Sequence, residues 1–299
     1  MYTNSCPICK THNNKSKLYF KDNFDKKKII QSSFSSRKNP EYMCMNMLKC
    51  NNCKLVYAEK IIKKKTIAQL YKYCSFDSKI EAKFAAQTYF NNLFLQNLQI
   101  KNRHSALEIG CGEGSFLGFL KKAGFKKIVG IEPSIEAIRA SQKKVKKYIK
   151  LGMFENFNFK KQKFDFICCF MTLEHVYNPK KIIQKIKKLL NPGGMIALIT
   201  HDYESLVNRI LKEKSPIVDI EHLQIFNKKS MQYLLKLNNF DCVQIQSFKN
   251  TYPLSYWIKL LPISEIIKKK LLIFLSKKNY LNSTISINVG NIISIGTKN

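Results

Sequence analysis

The middle of the chain alternates between short apolar runs and stretches whose apolar residues recur every three or four positions. Runs over 105–109, 127–131 and 164–171 are nearly continuous in apolar residues, which is typical of strands buried on both faces of a parallel sheet. Helical spacing is clearest over 115–123. Further helices are predicted over 179–190 and 227–238, and further strands over 195–200, 242–248 and, as a final edge or hairpin strand, 285–297. Strands that alternate with helices predict an α/β fold with a mainly parallel sheet.

A glycine-rich turn joins the first of these strands to its helix. Gly110, Gly112 and Gly114 occupy alternate positions there, and residues without a Cβ let the backbone turn sharply and approach a ligand. Glu108 precedes the turn, and Glu132 ends the following strand about one βαβ step later. A carboxylate at that position can bind the two hydroxyls of a ribose. The pattern favours a nucleotide-type ligand over the alternative, a glycine turn used only for packing.

The spacing of the glycines distinguishes between two cofactor classes. Dinucleotide-binding turns read G-x-G-x-x-G and point a helix N-terminus at a pyrophosphate. This chain reads G-x-G-x-G and places a carboxylate, Glu108, beside the turn. A carboxylate suits a cationic ligand better than a pyrophosphate. The combination resembles the first motif of the class I S-adenosylmethionine (SAM) methyltransferases.

The resemblance continues through a second set of motifs. The strand over 164–171 is followed by Leu-Glu-His-Val at 173–176, a helix, the turn Asn-Pro-Gly-Gly at 191–194 and another strand. This order is similar to that in the methyltransferases of coenzyme Q synthesis and of sugar and glycan biosynthesis, and the match covers about residues 104–248. The chain departs from it at 201–202, where His-Asp replaces the Pro-Asn that the family often has beside the substrate. The departure puts the substrate in doubt and leaves the cofactor prediction intact.

The resemblance implies a doubly wound, seven-stranded Rossmann-like core over 104–299, with SAM as the cofactor. It also implies methyl transfer to carbon or oxygen of a small molecule or a nucleotide-linked sugar or glycan precursor. The residues that it assigns to cofactor binding are Glu108, Gly110, Gly112, Gly114, Glu132, Pro133, Phe154 and Met171.

Two C-x-x-C pairs near the amino terminus predict a metal site. Cys6 and Cys9 form one pair, and Cys50 and Cys53 form the other. Each pair can offer two thiolates from a tight turn, and four thiolates complete the tetrahedral shell of zinc. Residues 1–60 are therefore predicted to form a zinc ribbon too small to fold on its own core. The alternative is two unrelated pairs of buried cysteines. The arrangement resembles the methyltransferases of modified-sugar pathways, in which a ribbon helps to frame the substrate site.

An adjacent acid and histidine provide the candidate for proton transfer. Glu221 and His222 follow the strand over 195–200. An imidazole oriented by a carboxylate can act as a general base, so we expect His222 to take a proton from the substrate and Glu221 to orient it. The pattern E-H-x-x-x-F also resembles the active-site loop of sugar C-methyltransferases. The competing interpretation is a histidine that caps or packs the following helix. His175 is a further candidate, because it follows the strand on the cofactor side.

Two helical segments flank the predicted core. Residues 61–103 are predicted to be a helical linker or lid whose aromatic residues pack on the core or cover the site. These residues are Tyr71, Tyr73, Phe84, Tyr89, Phe90 and Phe94. Residues 252–280 are predicted to be a helical insertion that packs over the substrate mouth or, alternatively, lies at a membrane interface. No apolar run in it approaches the roughly 20 residues that span a bilayer.

The net charge of +32 is carried mainly by lysine, since arginine occurs only at positions 37, 103, 139 and 209. Nucleic-acid readers rely on arginine, so solvated lysine-rich faces are favoured over a specific anionic partner such as nucleic acid, a nucleotide-linked substrate or an anionic lipid surface. Two alternatives stay open: an RNA methyltransferase, and a zinc-ribbon nucleic-acid-binding protein with a vestigial cofactor fold. Ten cysteines at non-disulfide spacings, and no secretory signal over residues 1–5, predict a cytoplasmic protein.

Overall fold

A computed structural model describes residues 2–3, 5–25, 27, 42–62, 64–72, 74, 79–95, 98, 100–261, 263–277, 280–281 and 283–299. All the residues predicted to bind cofactor, metal or substrate lie within these ranges. Tyr73, and part of the loop that joins the two cysteine pairs, lie outside them.

The amino-terminal part of the chain forms two small sheets. Its strands are β1 (Tyr2–Thr3), β2 (Ser16–Phe20), β3 (Met47–Cys50), β4 (Val56–Ala58) and β5 (Lys60–Ile61). β2, β3 and β4 pair in that order and antiparallel, while β1 pairs with β5. Cys50 ends β3 and Cys53 lies in the turn that leads to β4. The second cysteine pair therefore occupies the tight turn of an antiparallel hairpin, as a ribbon requires.

Two helices follow the ribbon, α1 (Lys64–Lys72) and α2 (Lys79–Phe90), and a π-helical turn extends the second over Asn91–Leu95. The buried residues of α2 recur at helical spacing, and most are small, which lets the helix approach the core closely. They are Ala82, Ala85, Ala86 and Tyr89. Phe84, Phe90 and Phe94 are half-buried and pack against the same cluster. Tyr71 packs against another part of the core, and Tyr71 and Tyr89 both line the cavity described below.

The rest of the chain is built on eight further strands. They are β6 (Ser105–Ile109), β7 (Lys127–Glu132), β8 (Ile149–Leu151), β9 (Phe164–Phe170), β10 (Leu190–His201), β11 (Gln224–Ile225), β12 (Asp241–Pro253) and β13 (Thr284–Thr297). All except β11 form one sheet in the order β12-β13-β10-β9-β6-β7-β8. The five strands from β10 to β8 are parallel, and β13 runs antiparallel to both β10 and β12. This confirms the predicted seven-stranded, Rossmann-like fold. Of the two alternatives predicted for the last strand, the edge strand was wrong, because β13 lies between β10 and β12, and β13 instead pairs antiparallel with β12, the strand before it in the chain.

Helices cover both faces of this sheet. They are α3 (Ser115–Lys122), α4 (Ile135–Ala140), α5 (Lys143–Lys146), α6 (Pro179–Leu189), α7 (Leu206–Leu211), α8 (Lys228–Leu237), α9 (Leu254–Leu260) and α10 (Glu265–Lys277). On β9, Phe166 and Phe170 pack with residues of α2 and α3, whereas Ile167 and Cys169 pack with residues of α6 and α8. Successive side chains of a strand point to opposite faces, so a strand covered on both sides must be apolar throughout.

Local capping explains why two helices begin where the sequence predicts. The Asn178 side chain accepts a hydrogen bond from the Lys181 N–H at the start of α6, and Asn227 and Ser230 cap α8 reciprocally. The predicted insertion over 252–280 is resolved into α9 and α10. Across the described stretches of the chain, every helix is too short or too polar to cross a bilayer.

The short strand β11 belongs to the ribbon. It pairs antiparallel with β4, with Gln224 opposite Tyr57 and Ile225 opposite Val56. The Ala58 N–H also donates to the Leu223 carbonyl at 2.9 Å. The segment that carries Glu221 and His222 is therefore an additional strand of the ribbon sheet.

Candidate functional site

The glycine turn follows β6 at the carboxyl edge of the parallel strands. Gly110 and Gly112 have φ of +69° and +54°, which side-chain-bearing residues rarely adopt. A Cβ at Gly110 would overlap the Thr172 side chain, whereas a Cβ at Gly112 would meet nothing within 4 Å. Both residues line a cavity of about 580 Å³, so the turn brings backbone directly against it. Gly114, predicted to bind cofactor, is the N-cap of α3 and is not among the described residues that line this cavity.

Glu132 connects the end of β7 to the glycine turn. One carboxylate oxygen accepts from the Gly112 N–H at 2.7 Å, and the other accepts from the Ser134 N–H at 2.8 Å. Burial raises the pKa of Glu132 to about 7, against these two hydrogen bonds, which favour the ionised form. Each carboxylate oxygen has a second lone pair. Glu132 can therefore accept two hydroxyl hydrogen bonds, which fits a ribose.

The strand ends of the parallel sheet supply the wall of the cofactor end. Glu108, Pro133, Phe154 and Met171, all predicted cofactor residues, line the same cavity as the glycine turn. Met171 follows β9 with a φ of +48°, so the chain turns abruptly there. In open α/β sheets, ligands bind outside the carboxyl ends of the strands, and the cavity occupies that position.

Three side chains from two distant segments meet at the other end of the cavity. One nitrogen each of His175 and His222 and one carboxylate oxygen of Glu221 lie within 4.8 Å of one another. The two imidazole centroids are 4.9 Å apart. The Tyr71 hydroxyl, from α1, approaches the Glu221 carboxylate at 3.5 Å. The sequence predicted Glu221 and His222 as a pair and His175 as a further candidate, and the structure brings the three together.

Contacts around His222 differ from the prediction that Glu221 orients it. Nδ1 of His222 lies 2.8 Å from the Ile217 carbonyl, to which it can only donate, so this carbonyl fixes the ring. The Glu221 carboxylate lies 3.7 Å from Nδ1 of His175, whose Nδ1 is also 3.2 Å from the Glu221 carbonyl. Glu221 therefore belongs with His175. The two side chains have different partners because the chain turns after Asp219, and this turn points the adjacent side chains of Glu221 and His222 in different directions.

Burial lowers the pKa of both His175 and His222. For His222, the neighbouring His175 and His201 lower it further, since like charges disfavour protonation. Both rings are therefore mostly neutral near pH 7. A neutral imidazole whose Nδ1 donates to a carbonyl has a lone pair on Nε2, which can accept a proton or a hydrogen bond.

His201 and Glu174 form a pair that the sequence did not single out for chemistry. One Glu174 carboxylate oxygen accepts from the His201 N–H at 2.7 Å and lies 2.8 Å from its Nδ1. Burial alone would raise the pKa of Glu174, but the charges of His201, His222 and His175, with the hydrogen bond from His201, lower it to about 2. The His201 ring lines the cavity with its centroid 5.3 Å from that of His222. The adjacent Glu-His dipeptide at 174–175 was visible in the sequence, but its partner on β10 was not.

The four amino-terminal cysteines also converge. The sulfurs of Cys6 and Cys53 are 3.4 Å apart, those of Cys9 and Cys50 are 3.5 Å apart, and all four lie within 4.8 Å of one another. A tetrahedron with zinc–sulfur bonds of about 2.3 Å has edges of about 3.8 Å. The hydrogen bond from Cys53 lowers the pKa of Cys6 to about 6, which favours a thiolate. The cluster fits a four-thiolate zinc site.

The two cysteine turns have the same shape. Lys10 and Lys54 each follow the second cysteine of a pair, and their φ values are +61° and +64°. Their N–H groups donate to the carbonyls of Cys6 and Cys50, at 2.9 and 3.1 Å. Each pair is thus presented by a closed turn, the arrangement that lets two sulfurs face one ion.

Comparison with known proteins agrees with this geometry. A family model described as a methyltransferase domain matches residues 77–245. The mitochondrial ubiquinone biosynthesis O-methyltransferase of Dictyostelium discoideum is 27% identical over 124 residues, which cover 36% of this chain and 39% of that one. The tRNA U34 carboxymethyltransferase of Campylobacter curvus is 31% identical over 115 residues, covering 36% of this chain and 38% of that one. The chain thus spans less than two thirds of the length of these relatives, and the same holds for an uncharacterised Methanocaldococcus jannaschii protein, at 58%. The crystal structure of the YcgJ protein of Bacillus subtilis superposes with a TM-score of 0.50 at 16% identity, covering 70% of this chain and 98% of that one, which shows the shared fold.

Proposed function

From the premise that the chain belongs to the methyltransferase-domain family of SAM-dependent enzymes, we propose that its acceptor is a small molecule or a nucleotide-linked sugar or glycan precursor. One observation supports this most directly. The cofactor residues around Glu132 and the histidines around His222 line one and the same cavity. Such a cavity suits an acceptor that enters it, and the ribbon supports the segment that carries His222, because β11 is paired with β4.

The residues at the cofactor end would hold and orient the cofactor. Glu132 accepts hydrogen bonds from the two ribose hydroxyls, and the glycine turn lets the backbone at Gly112 approach closely. Glu108 places negative charge on the same wall. Bound SAM supplies an electrophilic methyl group on a sulfonium. The work left to the protein is to align the acceptor atom with that methyl group and to accept the proton that the acceptor loses.

We propose that His222 accepts the proton that the acceptor loses. The Ile217 carbonyl holds Nδ1 as the donor, so Nε2 is the basic atom, and the lowered pKa of His222 keeps that atom unprotonated near pH 7. Glu221 and His175, 3.7 Å apart, are placed to bind the acceptor beside it. His222 would receive at Nε2 the proton that the acceptor loses when it bonds to the methyl group, while the sulfur–methyl bond of SAM would break and leave S-adenosylhomocysteine.

The test is transfer of labelled methyl groups from SAM into a cell extract that is afterwards separated into small molecules, RNA and protein. We expect label in the small-molecule fraction. His222→Ala should lower transfer by about 10²- to 10⁴-fold with SAM affinity unchanged, because a general base contributes that much and lies away from the cofactor. His104→Ala, an exposed histidine at the start of β6, is the matched control. A loss of less than about threefold would show that His222 only packs.

RNA methylation is the second candidate. It is favoured by the net charge of +32 and by similarity to the tRNA U34 carboxymethyltransferase of Campylobacter curvus. Label in the RNA fraction would establish it. A nucleic-acid-binding protein with a vestigial cofactor fold would bind RNA but fail to bind SAM.

We further propose that Cys6, Cys9, Cys50 and Cys53 hold one structural zinc ion, supported by the convergence of their sulfurs. We propose a ribbon over 1–60, a helical linker or lid over 61–103, and a core over 104–299. Free thiols at all the described cysteines support a reducing compartment such as the cytoplasm.

A further inference from the structure

The cavity has a charge that contrasts with that of the chain. The sequence contains 52 lysines and arginines, yet neither residue type occurs among the described residues that line the cavity. Six carboxyl side chains do line it. They are Glu108, Glu113, Glu132, Glu155, Asp219 and Glu221. Lysine is abundant elsewhere in this basic chain. The lack of lysine and arginine among the described lining residues therefore distinguishes the cavity from the rest of the protein.

The cofactor accounts for only part of this negative charge. Glu108, Glu113 and Glu132 belong to the glycine turn and the strand ends beside it, where a sulfonium-bearing cofactor would lie. Asp219 and Glu221 belong to the segment that carries His222, at the acceptor end. The acceptor end therefore has its own carboxylates and no lysine or arginine among the described residues that line it.

A group of aromatic side chains also lines the cavity. Tyr252, Tyr256 and Trp257 line the cavity and pack on one another, with centroids 4.4 Å apart for the two tyrosines and 5.4 Å apart for Tyr252 and Trp257. Leu260 and Val289 line the cavity beside them. Aromatic faces attract cations and cover apolar groups, and they offer nothing to a phosphate.

We propose that the acceptor end admits an uncharged or cationic acceptor with an apolar or aromatic body, and that it excludes phosphate and carboxylate groups from the cavity. This rests on the proposed function, whose acceptor it narrows. A nucleotide-linked sugar would have to leave its diphosphate outside the cavity. An anion inside would lose its water, find no lysine or arginine on the described lining, and face the carboxylate of Glu221.

The experiment uses Trp257, the single tryptophan of the chain, as the reporter. Protein saturated with S-adenosylhomocysteine, the demethylated product of SAM, is titrated with three probes that share a phenol ring: tyramine, tyrosol and 4-hydroxyphenylacetate. They end in an ammonium, a hydroxyl and a carboxylate. We expect tyramine and tyrosol to quench Trp257 fluorescence, with the carboxylate binding at least about tenfold more weakly. Uridine diphosphate glucose should also fail to quench at the concentrations at which tyramine does.

Glu221→Gln should reduce the preference for tyramine over 4-hydroxyphenylacetate by at least about threefold. Glu136→Gln, an exposed acid on α4 paired with Arg139, should leave that preference unchanged. Equal or tighter binding of the carboxylate or of the nucleotide sugar would overturn the proposal, and so would no quenching by any probe. A separate calorimetric titration with S-adenosylhomocysteine distinguishes failure of the proposed function from failure of this inference. If the protein does not bind S-adenosylhomocysteine, the proposed function is wrong. If the protein binds it but prefers anionic probes, only the inferred acceptor preference is wrong.

Discussion

The Glu132 carboxyl group is expected to release a proton when the cofactor binds. Burial raises the pKa of this carboxyl to about 7 in the free protein, so about nine tenths of the molecules carry the proton at pH 6 and about half at pH 7. Ribose hydroxyls donate to the ionised form and would return the pKa towards its ordinary value of 4.5. Binding should then release about 0.9 proton at pH 6 and about 0.5 at pH 7, and it should be about fivefold tighter at pH 7.

Titration calorimetry with S-adenosylhomocysteine in buffers of different ionisation enthalpy measures the released protons. Glu132→Gln should abolish this release and weaken binding by about 1.5–3 kcal/mol, the usual cost of losing charged hydrogen bonds. The ligand amino group has a pKa of about 7.7–8.0. Its small contribution cancels when wild type and variant are compared. Glu136→Gln should match the wild type. If wild type and Glu132→Gln release equal numbers of protons at pH 6, Glu132 does not contact the ribose.

Three other perturbations address the parts that hold the site together. Cys50→Ser should lower the zinc content below one equivalent by metal analysis and expose the amino-terminal residues to protease; a metal-free wild type that resists protease would contradict this. The pKa of Glu174 in the folded protein, about 2, lies below its ordinary 4.5, so its contribution of about 3 kcal/mol is present above pH 4.5 and lost as the pH falls towards 2. Glu174→Gln should therefore lower the free energy of unfolding in urea at pH 7 by up to that amount and flatten its acid dependence. Tyr203→Phe removes the hydrogen bond that the hydroxyl donates to the Lys54 carbonyl and the one it accepts from the Asn227 side-chain amide, and should cost about 1–3 kcal/mol in the same assay, whereas an unchanged value would show that water replaces the hydroxyl.

The arrangement of the candidate cofactor residues follows from local patterns. Three glycines between a buried strand and a helix, with an acid at the end of the next strand, are all contained in one βαβ step. The turn, the strand and the acid therefore come together whatever the rest of the chain does. The two cysteine pairs were recognisable for a similar reason, because each C-x-x-C turn can present two ligands by itself.

The acceptor end was less predictable because its contacts join distant segments. Glu221 was expected to orient its neighbour His222. Because of the turn after Asp219, His222 instead hydrogen-bonds to the Ile217 carbonyl, and the Glu221 carboxylate lies beside His175. The pairing of Glu174 with His201 joins the loop after β9 to the end of β10, and nothing in the sequence marked these two side chains as partners. β11 has only two residues, too few for any periodicity, so its pairing with β4 could not be anticipated.

The pairing of β11 with β4 has a consequence for protein engineering. The ribbon looks like a detachable module at the amino terminus, yet its outermost strand is supplied by the segment over 219–226, far along the chain. A chimaera joined at residue 60 would take β2, β3 and β4 from one protein and β11 from the other. The native pairing of β11 with β4 would be lost, and the edge of β4 would be exposed. Transplanting acceptor preference from a related protein would require the ribbon and the 219–226 segment to be exchanged together, as a discontinuous unit.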